Sequence, residues 1–257
     1  MTGAVLHAEE VMGTVVSFDV RPGHLTESAA RAAIARACAL LHDVDATFST
    51  WKPASPINRF RRGEARIEDL PAEVYDVLEL CALAGRMSGG WFDAWAMPGG
   101  FDPTGLVKGW AAARALGVLR AAGAAAAVVN AGGDVAVHGR PAPDRPWAIA
   151  VTNPADTSQV VCIVDVEASI ATSGTYERGE HVLDPHTGAA ASVVASATVV
   201  GPDLALADAL ATAIVAGGIE LLATLQPTAY AGLIIEHDGA IRATPGFPVQ
   251  VTDVSRG

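Results

Sequence analysis

The chain has 257 residues with 17 Lys and Arg against 28 Asp and Glu, a formal charge of −11, and 51% of its residues are apolar. That length buries a sizeable core without splitting, so one domain over residues 1–257 is expected. The acid excess and the scatter of the basic residues exclude a nucleic-acid partner, and no stretch reaches the roughly 20 apolar residues of a membrane span.

At the N-terminus, Glu9 and Glu10 interrupt MTGAVLHAEEVMG where a signal peptide needs an apolar run, and no lipid-accepting Cys is present, so a cytoplasmic location is expected. Met12, Thr14, Val16, Phe18 and Val20 alternate with more polar neighbours, the period of a half-buried strand. A long helix follows, with Thr26 as its cap and Ile34, Ala37, Leu41, Val44 and Phe48 on one stripe. It ends at FSTW. Asp69 and Pro71 open a second helix whose inner face is Val74, Leu78 and Cys81, running to Gly89-Gly90 and a glycine-rich loop. A third helix is predicted from Trp110 to Gly123, with Leu116 and Leu119 inward.

Beyond it the pattern changes. AAAVVN, DVAVHG, WAIAVT and VVCIVDV are short β-branched runs split by Gly, Pro and Asn, which predicts consecutive strands, and SATVVG adds another. ALADALATAIVAGG reads as a helix between Pro202-Asp203 and Gly217-Gly218, and YAGLIIE with AIRAT as a hairpin about Asp238-Gly239. The class is α+β. Cys38, Cys81 and Cys162 lie in apolar or helical contexts without a CxxC pair and read as buried thiols.

Four clusters can carry chemistry. Within the apolar helix, Asp208 and Thr212 stand at i and i+4 on one face. Either Asp208 reaches water and Thr212 bonds back to its own helix, or the pair is matched by a hard cation such as Mg²⁺, which accepts carboxylate and hydroxyl oxygens. In FDAWAMPGGFDPTGLVKGW, Asp93 and Asp102 bracket a loop, and Lys108 precedes helical N–H groups beginning near Gly109 that can hold a phosphate; a plain turn with a solvated Lys is the alternative. VVNAGGD sets Gly132-Gly133 between two strands, as any hairpin turn needs and as close approach of a flat ligand also needs. ATSGT and HVLDPHTG bring Thr172, Ser173 and Thr175 near His181, a candidate general base; Asp184 and His186 fit a turn equally well, and the His181–His186 spacing argues against zinc there. STWK at 49–52 matches the SxxK element of penicillin-recognising acyl enzymes, but no S-x-N or K-T-G follows, so it reads as a loop in which Trp51 can cover an aromatic ligand. No GxGxxG is present.

In order along the chain, MGT at 12–14, FSTWKPASPINRF at 48–60, GWFD at 90–93, DPTGLVKGW at 102–110, VVNAGGD at 128–134, WAIAVTNP at 147–154, ATSGTYER at 171–178, HVLDPHTG at 181–188 and ADALATA at 207–213 resemble the ApbE family of FAD:protein FMN transferases. The resemblance implies an α+β fold of mixed or antiparallel sheets packed with helices around a flavin cleft. It also implies Mg²⁺ against the FAD pyrophosphate, held by Asp208, Thr212 and a carbonyl near Gly105. It makes Lys108 and His181 catalytic beside Asp208, and places Met12, Trp51, Asn58, Asp93, Asp102, Lys108, Thr172, Ser173 and His181 around the flavin or nucleotide. The implied reaction moves FMN from FAD to a Thr or Ser hydroxyl of a partner flavoprotein, releasing AMP. Mg²⁺-dependent FAD pyrophosphatase activity and non-catalytic FAD storage are the alternatives. His186 stands where the family usually has Arg, which puts acceptor recognition in question.

Overall fold

The computed structural model describes residues 3–174 and 182–250. Its strands are β1 (Val5–Val11), β2 (Thr14–Arg21), β3 (Ala126–Ala131), β4 (Asp134–His138), β5 (Trp147–Asn153), β6 (Asp156–Val166), β7 (Ser169–Gly174), β8 (Ser196–Gly201), β9 (Ala231–Ile235) and β10 (Ile241–Ala243). The α-helices are α1 (Glu27–Phe48), α2 (Pro56–Arg61), α3 (Glu73–Met87), α4 (Thr104–Ala121), α5 (Leu204–Gly217) and α6 (Leu222–Leu225). One sheet has the order β1-β2-β3-β4-β7-β8-β9-β10, β5 and β6 form a separate ribbon, and every pairing between these strands is antiparallel. The expected α+β class therefore takes its wholly antiparallel form.

Strand alternation divides the core in two. Ala136, Ala171 and Ile234 turn to the helical side, where α1, α4 and α5 complete the larger apolar cluster. Their neighbours Val135, Val137, Ile170, Leu233 and Ile235 turn to the opposite side and pack with Trp147, Val151 and Val164 of the ribbon. The large sheet is thus the middle layer. α5 lies deepest among the helices, with twelve buried residues including Asp208.

Local chemistry sets most element ends. Thr26 Oγ1 accepts the Ala29 N–H at 3.1 Å, and the predicted stripe from Ile34 to Phe48 is buried. Asp203 accepts the Leu206 N–H at 3.0 Å to start α5, and Gly218 stops it at φ 84°. Gly132 and Gly133, at φ 60° and 100°, make the two-residue β3–β4 turn, since both central positions of such a turn need positive φ.

Several expectations change. The first alternating segment is only β2, because Met12 at φ 56° and Gly13 at φ 69° form a turn that pairs it with an earlier strand, β1. α2 occupies what reads as loop: Ser55 caps it and Pro56 opens it, but six residues are too few for apolar periodicity to register. α3 begins at Glu73 after a short 3₁₀ turn over Ile67–Asp69, and its inner face uses Val77, with Leu78 only half-buried. α4 starts at Thr104, six residues before the predicted Trp110, with Gly105 and Gly109 inside it; these glycines lower helix propensity and hide the start. The hydroxyl-bearing ATSG segment is the end of a strand, β7. Cys38 and Cys81 are buried, whereas Cys162 is half-buried. No helix of the described residues is long and apolar enough to cross a membrane.

Candidate active site

α4 and α5 touch through Gly109. A Cβ there would lie 2.6 Å from the Leu204 carbonyl oxygen and 3.1 Å from Asp208 Cβ, so only glycine lets the helices approach this closely. The same residue donates its N–H to Asp208 Oδ2 at 3.1 Å. One turn further along α5, Thr212 Oγ1 lies 3.1 Å from Ser173 Oγ on β7, and a Cβ at Gly105 would stand 3.7 Å from Thr212 Oγ1. Asp208, Thr212, Ser173 and Gly105 therefore converge from three elements.

Asp208 is 2% exposed, which removes the reading in which it faces water. Burial pushes its carboxyl well above the usual carboxylate range, and the Asp134 carboxylate pushes it further, while the Lys108 ammonium and the Gly109 N–H act the other way. Asp134, at the start of β4, is fully buried; its Oδ2 lies 2.8 Å from Lys108 Nζ, and its Oδ1 has no hydrogen-bond partner among the described residues. Two buried carboxylates with one ammonium leave a negative site that takes either a proton or a cation. All of its converging donors are oxygens, so a hard divalent cation fits it better than a soft one.

Above this floor opens a cleft of about 400 Å³ lined by Trp51, Arg61, Asp93, Asp102, Lys108 and Ser173 as well as Asp208, Thr212 and Gly105. It joins a second, of about 550 Å³, lined by Met12, Phe48, Trp51, Val107 and Lys108; Trp51 and Lys108 border both. The Trp51 indole is 88% exposed at the rim. Thr50 and Thr104 are likewise shared between the two walls, so the clefts run into one another along the start of α4.

Other predicted residues have different placements. Lys108 lies inside α4, so it does not precede the helix, and its ammonium is turned to Asp134. Asp102 lines the cleft with both oxygens engaged: Oδ1 accepts the Thr104 N–H at 3.0 Å and the Thr104 hydroxyl at 2.7 Å, and Oδ2 accepts Arg61 Nη1 at 3.0 Å. Asp93 accepts the Trp95 N–H at 2.8 Å and shapes the loop. Asn58 lies beneath the rim, where its amide donates to the Ser49, Thr50 and Lys52 carbonyls at 3.3, 2.9 and 2.8 Å; it does not line either cleft. Thr172 neighbours Ser173 on β7 and so faces the opposite side, bonded to Thr198 Oγ1 at 2.9 Å. His181 and Thr175 lie outside the described residues. His186 packs edge-on against Trp91, ring centroids 4.7 Å apart, with Nδ1 3.2 Å from Asp184 Oδ1.

Two residues of the site, Asp134 and Arg61, are not among those that the sequence motifs single out. A carboxylate directly after a hairpin turn, at the head of the apolar strand DVAVH, is the signal available for Asp134. Arg61 offers none, because its pairing with Asp102 spans 41 residues.

A family model described as the ApbE family matches residues 12–99 and 97–232. A FAD:protein FMN transferase of Rhodobacter capsulatus is 36% identical over 175 residues, 60% of this chain and 33% of that protein. One of Salmonella typhimurium is 32% identical over 130 residues, 46% of this chain and 37% of that protein. The matched stretch thus spans about a third of the length of these curated relatives. Among solved structures, the flavin transferase ApbE of Vibrio cholerae superposes with a TM-score of 0.79 at 21% identity, covering 94% of this chain and 96% of that one. The ApbE protein of Thermotoga maritima gives 0.83 at 22% identity, covering 95% and 98%. At these identities the structural likeness speaks for the fold.

Proposed function

The chain belongs to the ApbE family, and on that footing we propose that it transfers FMN from FAD to a Thr or Ser hydroxyl of a partner flavoprotein, releasing AMP. The observation that carries this reading is the buried Asp208 carboxylate, with Asp134 and Lys108 behind it, at the floor of a cleft bordered by an exposed Trp. Asp208 and Thr212, with the carbonyl of Gly105, would hold Mg²⁺, which would supply charge neutralisation at the pyrophosphate.

The chain's own residues do the rest. Lys108 sets an ammonium against the phosphates and Trp51 covers a ring of FAD. Arg61 and Asp102 hold the loop that leads into α4. His181 is the base in this proposal: it takes the proton of the acceptor hydroxyl as the new O–P bond forms at the flavin-side phosphorus. The bond from that phosphorus to the bridging oxygen breaks, and AMP leaves with the oxygen.

The test is incubation of the full chain with FAD and Mg²⁺, with and without an acceptor domain. AMP formed only with acceptor, together with a fluorescent flavin-labelled protein band, is the expected result; AMP without acceptor makes the protein a pyrophosphatase, and neither product leaves it a binder. Asp208→Asn is expected to lower AMP release by about two orders of magnitude or more while FAD binding stays within a few fold. Unchanged release in that variant removes Asp208 from the metal site.

A further inference from the structure

On the outer edge of the large sheet, β1 turns Val5, His7, Glu9 and Val11 towards α1. Val5 and Val11 are buried as that row requires; the two positions between them are polar. Opposite, α1 carries Cys38 and His42 one turn apart, on the same face. His7 Nε2 lies 3.1 Å from Glu9 Oε2, His42 Nε2 lies 2.7 Å from Glu9 Oε1, and the donor atoms of His7, Glu9 and Cys38 all fall within 4.8 Å of one another. A cleft of about 520 Å³ opens over them to solvent. Its one guanidinium, on Arg31, is paired 2.8 Å from Glu27.

We propose that His7, Glu9 and Cys38 bind a zinc ion, with His42 holding the second oxygen of Glu9. An imidazole, a carboxylate and a thiol suit a borderline-soft ion and differ in kind from the all-oxygen floor at Asp208. Donors 2.0 to 2.3 Å from tetrahedral zinc stand about 3.3 to 3.8 Å apart. The His7–Glu9 separation is already close to that, and small side-chain rotations bring Cys38 in. Water takes the fourth position on the cleft side. Binding forms Zn–S, Zn–N and Zn–O bonds and breaks the Cys38 S–H bond and the His7–Glu9 hydrogen bond; neutral His7 keeps its proton on Nδ1, and the thiol proton goes to solvent. The ion ties β1, an edge strand held on one side only, to the longest helix.

The experiment titrates the purified full chain with Co²⁺ in excess Mg²⁺, following thiolate-to-cobalt charge-transfer absorption in the near ultraviolet, and then displaces Co²⁺ with Zn²⁺. A single equivalent, displaced by zinc, is expected. The band should vanish in Cys38→Ser and persist in Cys162→Ser and Asp208→Asn. His42→Ala should weaken zinc binding by about 10- to 100-fold. Because Cys38 is buried, Glu9→Gln, at a partly exposed site, gives a reading independent of core packing: a loss of at least about tenfold with an unchanged circular dichroism spectrum. Absence of the band in the unmodified protein, or a band indifferent to both Cys38→Ser and Glu9→Gln, overturns the proposal.

Discussion

The backbone N–H of Gly109 reaches across the seam between α4 and α5 to Asp208 Oδ2, 3.1 Å away. In a regular helix that N–H is directed to the carbonyl of Gly105, so one glycine both admits Asp208 and ties its position to the start of α4. Packing and site geometry are coupled here. Gly109→Ala should push a methyl group into the Leu204 carbonyl, which is backbone and cannot swing aside. The expected cost is about 1–3 kcal/mol, read as a lower urea midpoint, with loss of FAD turnover beyond what the unfolded fraction explains. A variant as stable as the parent would mean that the seam yields freely.

Lys108 and Asp134 form an ion pair whose acid is fully buried. Lys108→Met should therefore leave an uncompensated carboxylate and destabilise the chain by roughly 3–5 kcal/mol. Adding Asp134→Asn should restore part of that loss. Equal instability of the single and double variants in urea would show that Lys108 matters through something other than this pair.

Trp51 is exposed and borders both clefts, so Trp51→Ala should leave the melting temperature within about 1–2 °C of the parent while weakening FAD binding roughly tenfold, the worth of one aromatic contact. Flavin fluorescence titration measures it. Undiminished affinity would place the ring of FAD elsewhere.

Burial pushes the Cys81 thiol up to about 12 from an ordinary 9.0, with Asp102 and Asp93 adding to the shift. A folded-state value above the unfolded one means stability that is complete below pH 9 and lost as pH rises towards 12. Between pH 8 and 10.5 the parent should lose about 1–2 kcal/mol more than Cys81→Ala. Parallel curves in urea titrations of the two proteins would show that the thiol does not ionise on unfolding.

What could be read from the sequence follows how local the signal is. Thr26, Asp203 and Gly218 act within one turn of chain, and the elements they bound come out as predicted. The stripe on α1, the alternation along β2 and the β-branched runs of β3 and β4 are likewise local. Asp208 and Thr212 share a helix face, so their proximity is legible; the Asp134 carboxylate, 74 positions earlier in the chain, reaches them only through the fold. Asn58 and Thr172 sit within motifs that bear on the cleft, yet one points beneath the rim and the other through the sheet, because motif membership does not fix side-chain direction. The start of α4 was hidden by the glycines that α5 requires.

Asn58 shares its two amide protons among three carbonyls of the 49–52 loop, so the main chain beneath Trp51 is already ordered before any ligand arrives. Only two torsions of the indole then remain to be frozen on capture, an entropic cost of about 0.5–1.5 kcal/mol in place of the several that ordering four residues of loop would demand. Rotation of the indole alone is therefore expected to open and close this rim, with the backbone around it left in place.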